Sequence, residues 1–198
     1  MFDAALLKSA LDRWCAALEA AAPELNALDG RLGDGDLGAT LQKCAANVRA
    51  AAAALPDDLA GIFKRCAGAC ANASGSSFGT LLAVAFLTAS KAAGGAERMD
   101  RRATVQALDQ AVAALSARGG AARGDKTMLD SLHAIARALD ESPDGVALRP
   151  VAVHAARAAL DEFRSRPNRI GRARMFADKS VGLDDPGMVA ILRMVQAL

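Results

Sequence analysis

Apolar residues recur at helical spacing from one end of this sequence to the other, and no segment alternates β-branched residues with period two. Leu7, Leu11, Trp14 and Leu18 mark one stripe; Val105, Leu108, Val112 and Leu115 mark another; Met188, Ile191, Val195 and Leu198 mark a third. Breakers fall between the stripes: Pro23, Pro56-Asp57-Asp58, Asn72 to Gly75, Gly94-Gly95, Gly119 to Gly124, Ser142-Pro143-Asp144-Gly145 and Ser165-Arg166-Pro167-Asn168. They cut the chain into about eight helices, near residues 3–22, 37–54, 57–71, 76–92, 101–118, 127–141, 147–165 and 186–197. The abundance of alanine and the absence of tyrosine agree with helices rather than strands. Helices joined by short loops pack antiparallel to their neighbours. The expected fold is therefore all-α, a closed barrel or bundle of antiparallel helices, with residues 1–198 as one domain. The one long irregular stretch, Arg166 to Asp185, is too polar and glycine-rich for core, and loops of that length are often functional.

Several function classes are excluded by composition. A formal net charge of +2, with no basic block and no aromatic-basic interleaving, gives nucleic acid or a membrane surface nothing to hold. No stretch of about 18 apolar residues spans a bilayer, and Met1-Phe2-Asp3-Ala4 lacks the basic start of a secretory signal. The four cysteines, Cys15, Cys44, Cys66 and Cys70, read as small buried side chains in a reducing cytoplasm.

Chemistry concentrates in Leu25-Asn26-Ala27-Leu28-Asp29-Gly30-Arg31-Leu32-Gly33-Asp34-Gly35-Asp36-Leu37-Gly38. Asp29, Asp34 and Asp36 are separated mainly by glycines, and clustered carboxylates repel one another unless a cation lies among them. Hard oxygen ligands on a short glycine-hinged turn suit Mg²⁺, which keeps waters and shares phosphate oxygens. The run from Gly33 to Thr40 has the spacing of a phosphate-binding P-loop, but Ala39 stands where the lysine is required and no strand precedes it. An EF-hand fails too, since counting from Asp34 places Ala45 at the position that needs glutamate. What remains is an acidic loop entering a helix at Gly38, whose N-terminus favours anions. A solvated loop in which the aspartates serve only as caps and turn residues is the alternative.

Three further elements carry similar ambiguity. Ala73-Ser74-Gly75-Ser76-Ser77-Phe78-Gly79-Thr80 opens an apolar helix with small residues that could approach a phosphate or could simply cap. In Arg118-Gly119-Gly120-Ala121-Ala122-Arg123-Gly124-Asp125-Lys126-Thr127-Met128-Leu129-Asp130, Thr127 and Asp130 fit a capping box, which leaves the glycines and Lys126 unexplained. Gly171-Arg172-Ala173 precedes Ser180-Val181-Gly182-Leu183-Asp184-Asp185-Pro186-Gly187, where Asp185 and Pro186 suit a cap and a first helical turn. Arg172 is either solvated or a fixed fork for phosphate.

Taken together and in this order, these four elements resemble the nucleotide-binding L subunit of dihydroxyacetone kinases over nearly the whole chain. The resemblance implies a closed barrel of eight antiparallel helices holding ADP or ATP at one end through two Mg²⁺ ions. It assigns Asp29, Asp34 and Asp36 as metal ligands and, with Arg172, as the catalytic set. It places Leu37, Gly38, Ala39, Thr40, Ala73, Ser74, Gly119, Met128, Arg172, Asp185, Pro186 and Gly187 around the nucleotide, with Ser74 facing the phosphates and Met128 on the adenine. It further implies a small ketose held covalently by a histidine of a separate K subunit, for which these 198 residues leave no room. His133 and His154 read as ordinary helix residues. The phosphoryl donor is either exchanging ATP or a phosphotransferase-system protein that recharges bound ADP, and a homodimer is left open.

Two departures from that pattern stand beside the motifs. Leu37 replaces a histidine or threonine, and Leu183 replaces a histidine; neither leucine can donate a hydrogen bond to phosphate. Met175-Phe176-Ala177 also differs from the family's usual stretch. They keep a second class in view, a nucleotide-bound regulatory protein without transfer activity. The related nucleotide domain of fatty-acid kinases is a third, disfavoured by Leu28-Asp29, by Gly124-Asp125-Lys126-Thr127-Met128-Leu129 and by the closing Asp185-Pro186-Gly187.

Overall fold

The computed structural model describes residues 1–73 and 77–198, with all side chains of these except that of Ala177. Among them are eight α-helices: α1 (Ala4–Leu32), α2 (Leu37–Ala51), α3 (Leu59–Ala71), α4 (Ser77–Ala93), α5 (Arg101–Gly119), α6 (Met128–Glu141), α7 (Leu148–Phe163) and α8 (Pro186–Ala197). Their starts are chemically marked. Asp3, Asp58, Asp100, Thr127 and Asp185 each accept a backbone N–H of the first turn, and Thr127 with Asp130 forms the expected capping box. Each helix packs on the next in sequence, and α8 returns onto α1, so the ring is closed. Leu18, Leu25, Leu41, Leu59, Ile62, Leu115 and Met188 fill its middle, fully buried. Trp14 meets Phe86 edge-on with centroids 5.8 Å apart, and Phe86 stacks on Phe63.

Three sequence expectations are corrected. Pro23 does not end the first helix, which runs on to Leu32. Pro23 is exposed while Ala21, Ala22 and Leu25 around it are buried, so packing outweighs the one lost backbone bond. Glu24, next in line, is gripped in bidentate fashion by Arg193 of α8, at 2.7 and 2.9 Å. Secondly, a two-residue antiparallel ladder does exist, β1 (Phe2–Asp3) with β2 (Arg98–Met99), pairing Phe2 with Met99. It is too short to leave an alternating pattern in sequence. Thirdly, the stretch from Arg166 to Asp185 contains a 3₁₀ segment, Arg172–Ser180, and is anchored in the core by buried Asn168, Ser180 and Asp185. The cysteines are free and buried, as expected. No helix among the described residues is long and apolar enough to cross a membrane.

Candidate active site

In an up-and-down ring the even-numbered helices all begin at one end. The starts of α2, α4, α6 and α8 therefore converge there, and each brings the positive end of a helix dipole. The acidic residues are placed at this end by the crossing of α1 and α2. Ala22, Asn26, Asp29 and Gly33 follow one another at helical spacing along one face of α1 and its cap. Asn26 Oδ1 accepts the Ala39 N–H at 3.1 Å, and Asp29 Oδ2 accepts the N–H groups of Asp36 (2.9 Å) and Leu37 (3.3 Å). Gly38 makes the approach possible: a Cβ there would lie 2.0 Å from the Ala22 carbonyl oxygen. Gly35 turns the connection with φ +77°.

The result is a carboxylate cluster. Asp29, Asp34 and Asp36 each offer an oxygen within 4.8 Å of the others. Asp29 lies on the last turn of α1 rather than in a loop, so only Asp34 and Asp36 belong to the glycine turn. Asp29 does cap α2 from across the crossing. Asp36, at the N-cap position itself, makes no side-chain capping bond. The caps-only alternative therefore explains one carboxylate of the three. Arg172 forms an ion pair with Asp34 and balances part of the charge. Three converging hard oxygens, with open space beside them for water or phosphate oxygens, suit an octahedral Mg²⁺.

Behind the cluster lies a cavity of about 430 Å³. Asp29, Asp34, Asp36, Arg118 and Arg172 form its charged part, with the apolar Leu37 beside Asp36. Phe78, Leu81, Leu115, Met128, Leu129 and Ile170 supply an apolar part. Gly187 keeps this part open, since a Cβ there would sit 3.2 Å from Phe78 Cε2 and 3.1 Å from Asp185 Oδ1. Asp185 and Pro186 complete the wall. A charged part joined to an apolar part is the arrangement that a ligand with both a charged and an aromatic portion calls for.

Most residues expected at the site thus meet here: Asp29, Asp34, Asp36, Leu37, Gly119, Met128, Arg172, Asp185, Pro186 and Gly187 all line the cavity. Gly38, Ala39, Thr40 and Ala73 stand outside its lining, with Gly38, Thr40 and Ala73 buried behind it. Ser74 lies outside the described residues. His133 contacts Arg123 at 2.9 Å and His154 is exposed on α7; neither lines the cavity. The apolar residues Phe78, Leu81 and Leu115 are not marked as site residues by the sequence, because helical periodicity marks a cavity wall and a core stripe identically, and Ile170 lies in the irregular stretch before Arg172, where no periodicity applies.

Asp185 is buried and works twice. It caps α8 through Met188 N–H at 2.8 Å, and it accepts Asn168 Nδ2 at 2.8 Å. Burial pushes its carboxyl up to about 6, against the bonds from Met188 and Asn168 and the nearby Lys126 charge. A folded pKa above the unfolded value near 3.8 means stability is gained as pH falls through 6 and is fully present only below 3.8. Between pH 8 and pH 5 this group is worth about 1.4 kcal/mol. Thermal melts of wild type and Asp185→Asn should therefore diverge on acidification, the wild type gaining relative to the variant whatever their difference at pH 8. Parallel Tm profiles would contradict the assignment.

Comparison with known proteins decides the family. The model of the DAK2 domain matches residues 31–198. This chain belongs to the DAK2 domain family. Its sequence is 35% identical over 199 residues to D-erythrulose kinase of Mycolicibacterium smegmatis, covering 95% of this chain and 34% of that protein. It is 27% identical over 179 residues to the ADP-binding subunit DhaL of the PEP-dependent dihydroxyacetone kinase of Escherichia coli, covering 88% of this chain and 85% of the subunit. The dihydroxyacetone kinase of C. freundii, solved with AMP-PNP and Mg²⁺, superposes with a TM-score of 0.77 at 28% identity, over 98% of this chain and 33% of that one. The chain thus spans about a third of the length of the kinases it matches and most of the length of DhaL. It is a DhaL-type domain with the all-α architecture of the dihydroxyacetone kinase L subunit.

Proposed function

We propose that this DAK2 domain binds ADP or ATP through two Mg²⁺ ions and acts as the phosphoryl-donating part of a kinase for dihydroxyacetone or a related small ketose. The observation that carries this reading is the meeting of three carboxylates and Arg172 with an apolar slot in one cavity. Asp29, Asp34 and Asp36 would hold the metal, which supplies neutralisation of the phosphate oxygens. Arg172 would exchange part of its pairing with Asp34 for a phosphate oxygen, and the start of α2 from Leu37 to Thr40 would add its dipole. Ala73 and Ser74 would adjoin the phosphates, Met128 and Gly119 would enclose the base, and Asp185 to Gly187 would close the slot. Phosphoryl transfer asks the protein for positioning and charge neutralisation rather than covalent chemistry, and these residues offer both. The ketose would sit on a K subunit or domain, since neither histidine of this chain lies in the cavity. Four free thiols suit a reducing cytoplasm, and residues 1–198 would work as one domain.

The test is phosphorylation of dihydroxyacetone and of D- and L-erythrulose by the purified chain with a K subunit. It should be run once with ATP and once with a phosphotransferase-system donor and catalytic ADP. Product with ATP marks an exchanging nucleotide; product only with the phosphotransferase donor marks ADP as a resident cofactor. Leu37, which lines the cavity beside Asp36 and has no donor for phosphate, favours a second reading as a nucleotide-bound regulatory protein. Tight Mg²⁺-dependent ADP binding with no transfer from either donor would establish that second reading and refute the first.

A further inference from the structure

Lys126 has no part in the nucleotide site as described, yet it organises the chain around it. The residue is 1% exposed, and among the described residues it is the one non-glycine with positive φ, +62°. That backbone state persists in an L-residue where the surroundings over-determine it. The ammonium has three donors and meets three backbone carbonyls: Arg166 at 2.8 Å, Ser180 at 2.9 Å and, more distantly, Arg164 at 3.4 Å. Arg166 and Ser180 bracket the segment that carries Arg172. The bracket is reinforced from the same turn: Asn168 Nδ2 donates to the Lys126 carbonyl at 2.9 Å, Asn168 N–H donates to Ser180 Oγ at 2.8 Å, and Arg169 N–H donates to the Asp125 carbonyl at 3.1 Å. Lys126 itself is fixed by the capping box of α6, which begins at the next residue.

We propose that Lys126 is a positioning residue for the nucleotide site: by clasping both ends of the segment from Arg166 to Ser180, it holds Arg172 over the Asp29–Asp34–Asp36 cluster. Arg172 is over half exposed, with a side-chain exposure of 60%, and it pairs with Asp34. Its placement therefore depends on the backbone that carries it. An apolar side chain could fill the space of Lys126, but it would leave those carbonyls without their donor. What the ammonium adds is a single placement for a polar segment whose regular part is the 3₁₀ stretch Arg172–Ser180. The proposal rests on the nucleotide reading of the cavity.

A double-mutant cycle tests it. ADP is titrated with Mg²⁺ into wild type, Lys126→Met, Arg172→Ala and the double variant. Each single change is expected to weaken binding about tenfold, the scale of one charge-assisted hydrogen bond. If Lys126 acts through Arg172, the double variant binds within about twofold of Arg172→Ala alone. A lysine that merely supports the fold gives losses that multiply, and this overturns the proposal; so does a Lys126→Met protein with wild-type affinity. Should Lys126→Met lack a cooperative melt, Ser180→Ala replaces it in the same cycle with the same expectation, because it removes the Oγ that accepts the Asn168 N–H and so loosens the same segment. Wild-type protein that binds no ADP would overturn the reading of the cavity and this proposal with it. Multiplying losses in a protein that binds ADP would overturn this proposal alone.

Discussion

Gly38→Ala is expected to lower the melting temperature by about 10 °C and to weaken Mg²⁺-dependent nucleotide binding at the same time. The added methyl would lie 2.0 Å from the Ala22 carbonyl oxygen, 2.8 Å from its carbon and 2.7 Å from Asn26 Oδ1. Two of these three atoms are backbone of α1, so no rotamer change relieves the collision and the two helices must part. Overpacking of a close contact costs about 3 kcal/mol at the upper end of its usual range, and a protein of this size shifts by about 2–4 °C per kcal/mol. The movement is not neutral for the site. Asp29 rides on α1 and Asp36 begins α2, so parting the helices pulls one carboxylate from the others. Differential scanning calorimetry with and without Mg²⁺ and ADP separates the two effects: the variant should show both a lower Tm and a smaller ligand-induced rise. A variant that melts like wild type would contradict the close crossing.

Asp29 separates folding from metal binding by a choice of substitution. Its Oδ2 accepts two backbone N–H groups at the start of α2, while the carboxylate also faces Asp34 and Asp36. Asp29→Ala loses both functions: about 1 kcal/mol of stability from the cap, and a tenfold to hundredfold drop in Mg²⁺-dependent ADP affinity, about 1.5–3 kcal/mol. Asp29→Asn keeps an amide oxygen for the two N–H groups but surrenders the charge a hard cation needs. The asparagine variant should therefore melt near wild type and bind nearly as poorly as the alanine variant. Equal stability of all three proteins would show that the cap contributes nothing. Wild-type affinity in the asparagine variant would show that Asp29 is no ligand.

How much of this was legible in the sequence depended on whether a signal was local. The helices were legible because periodicity and capping are local. Thr127 with Asp130, and Asp185 with Pro186, fall where their residue types require. The acidic cluster was legible as chemistry but not as geometry. Reading Pro23 as a breaker hid the fact that Asn26 and Asp29 share a helical face aimed at the start of α2. Only the burial of Ala21, Ala22 and Leu25 reveals why the helix survives its proline. Lys126 was visible as an oddity beside Asp125, yet its partners are carbonyls about 40 residues and more away. Carbonyl partners leave no mark in a sequence, because every residue has one. The apolar half of the cavity was illegible for another reason. Phe78 and Leu81 fit the core stripe of α4 as well as they fit a slot for a base.

The role of the carboxylates is tested most directly by calorimetric titration of ADP, in Mg²⁺ and then in EDTA, into wild type and into Asp34→Ala/Asp36→Ala. If the cluster bridges nucleotide and protein through the metal, wild-type affinity falls about a hundredfold or more on removing Mg²⁺, from the loss of at least two charge-assisted contacts. The double variant then binds weakly and equally in both buffers. Unchanged affinity in the double variant, or a wild type indifferent to Mg²⁺, would contradict the metal bridge.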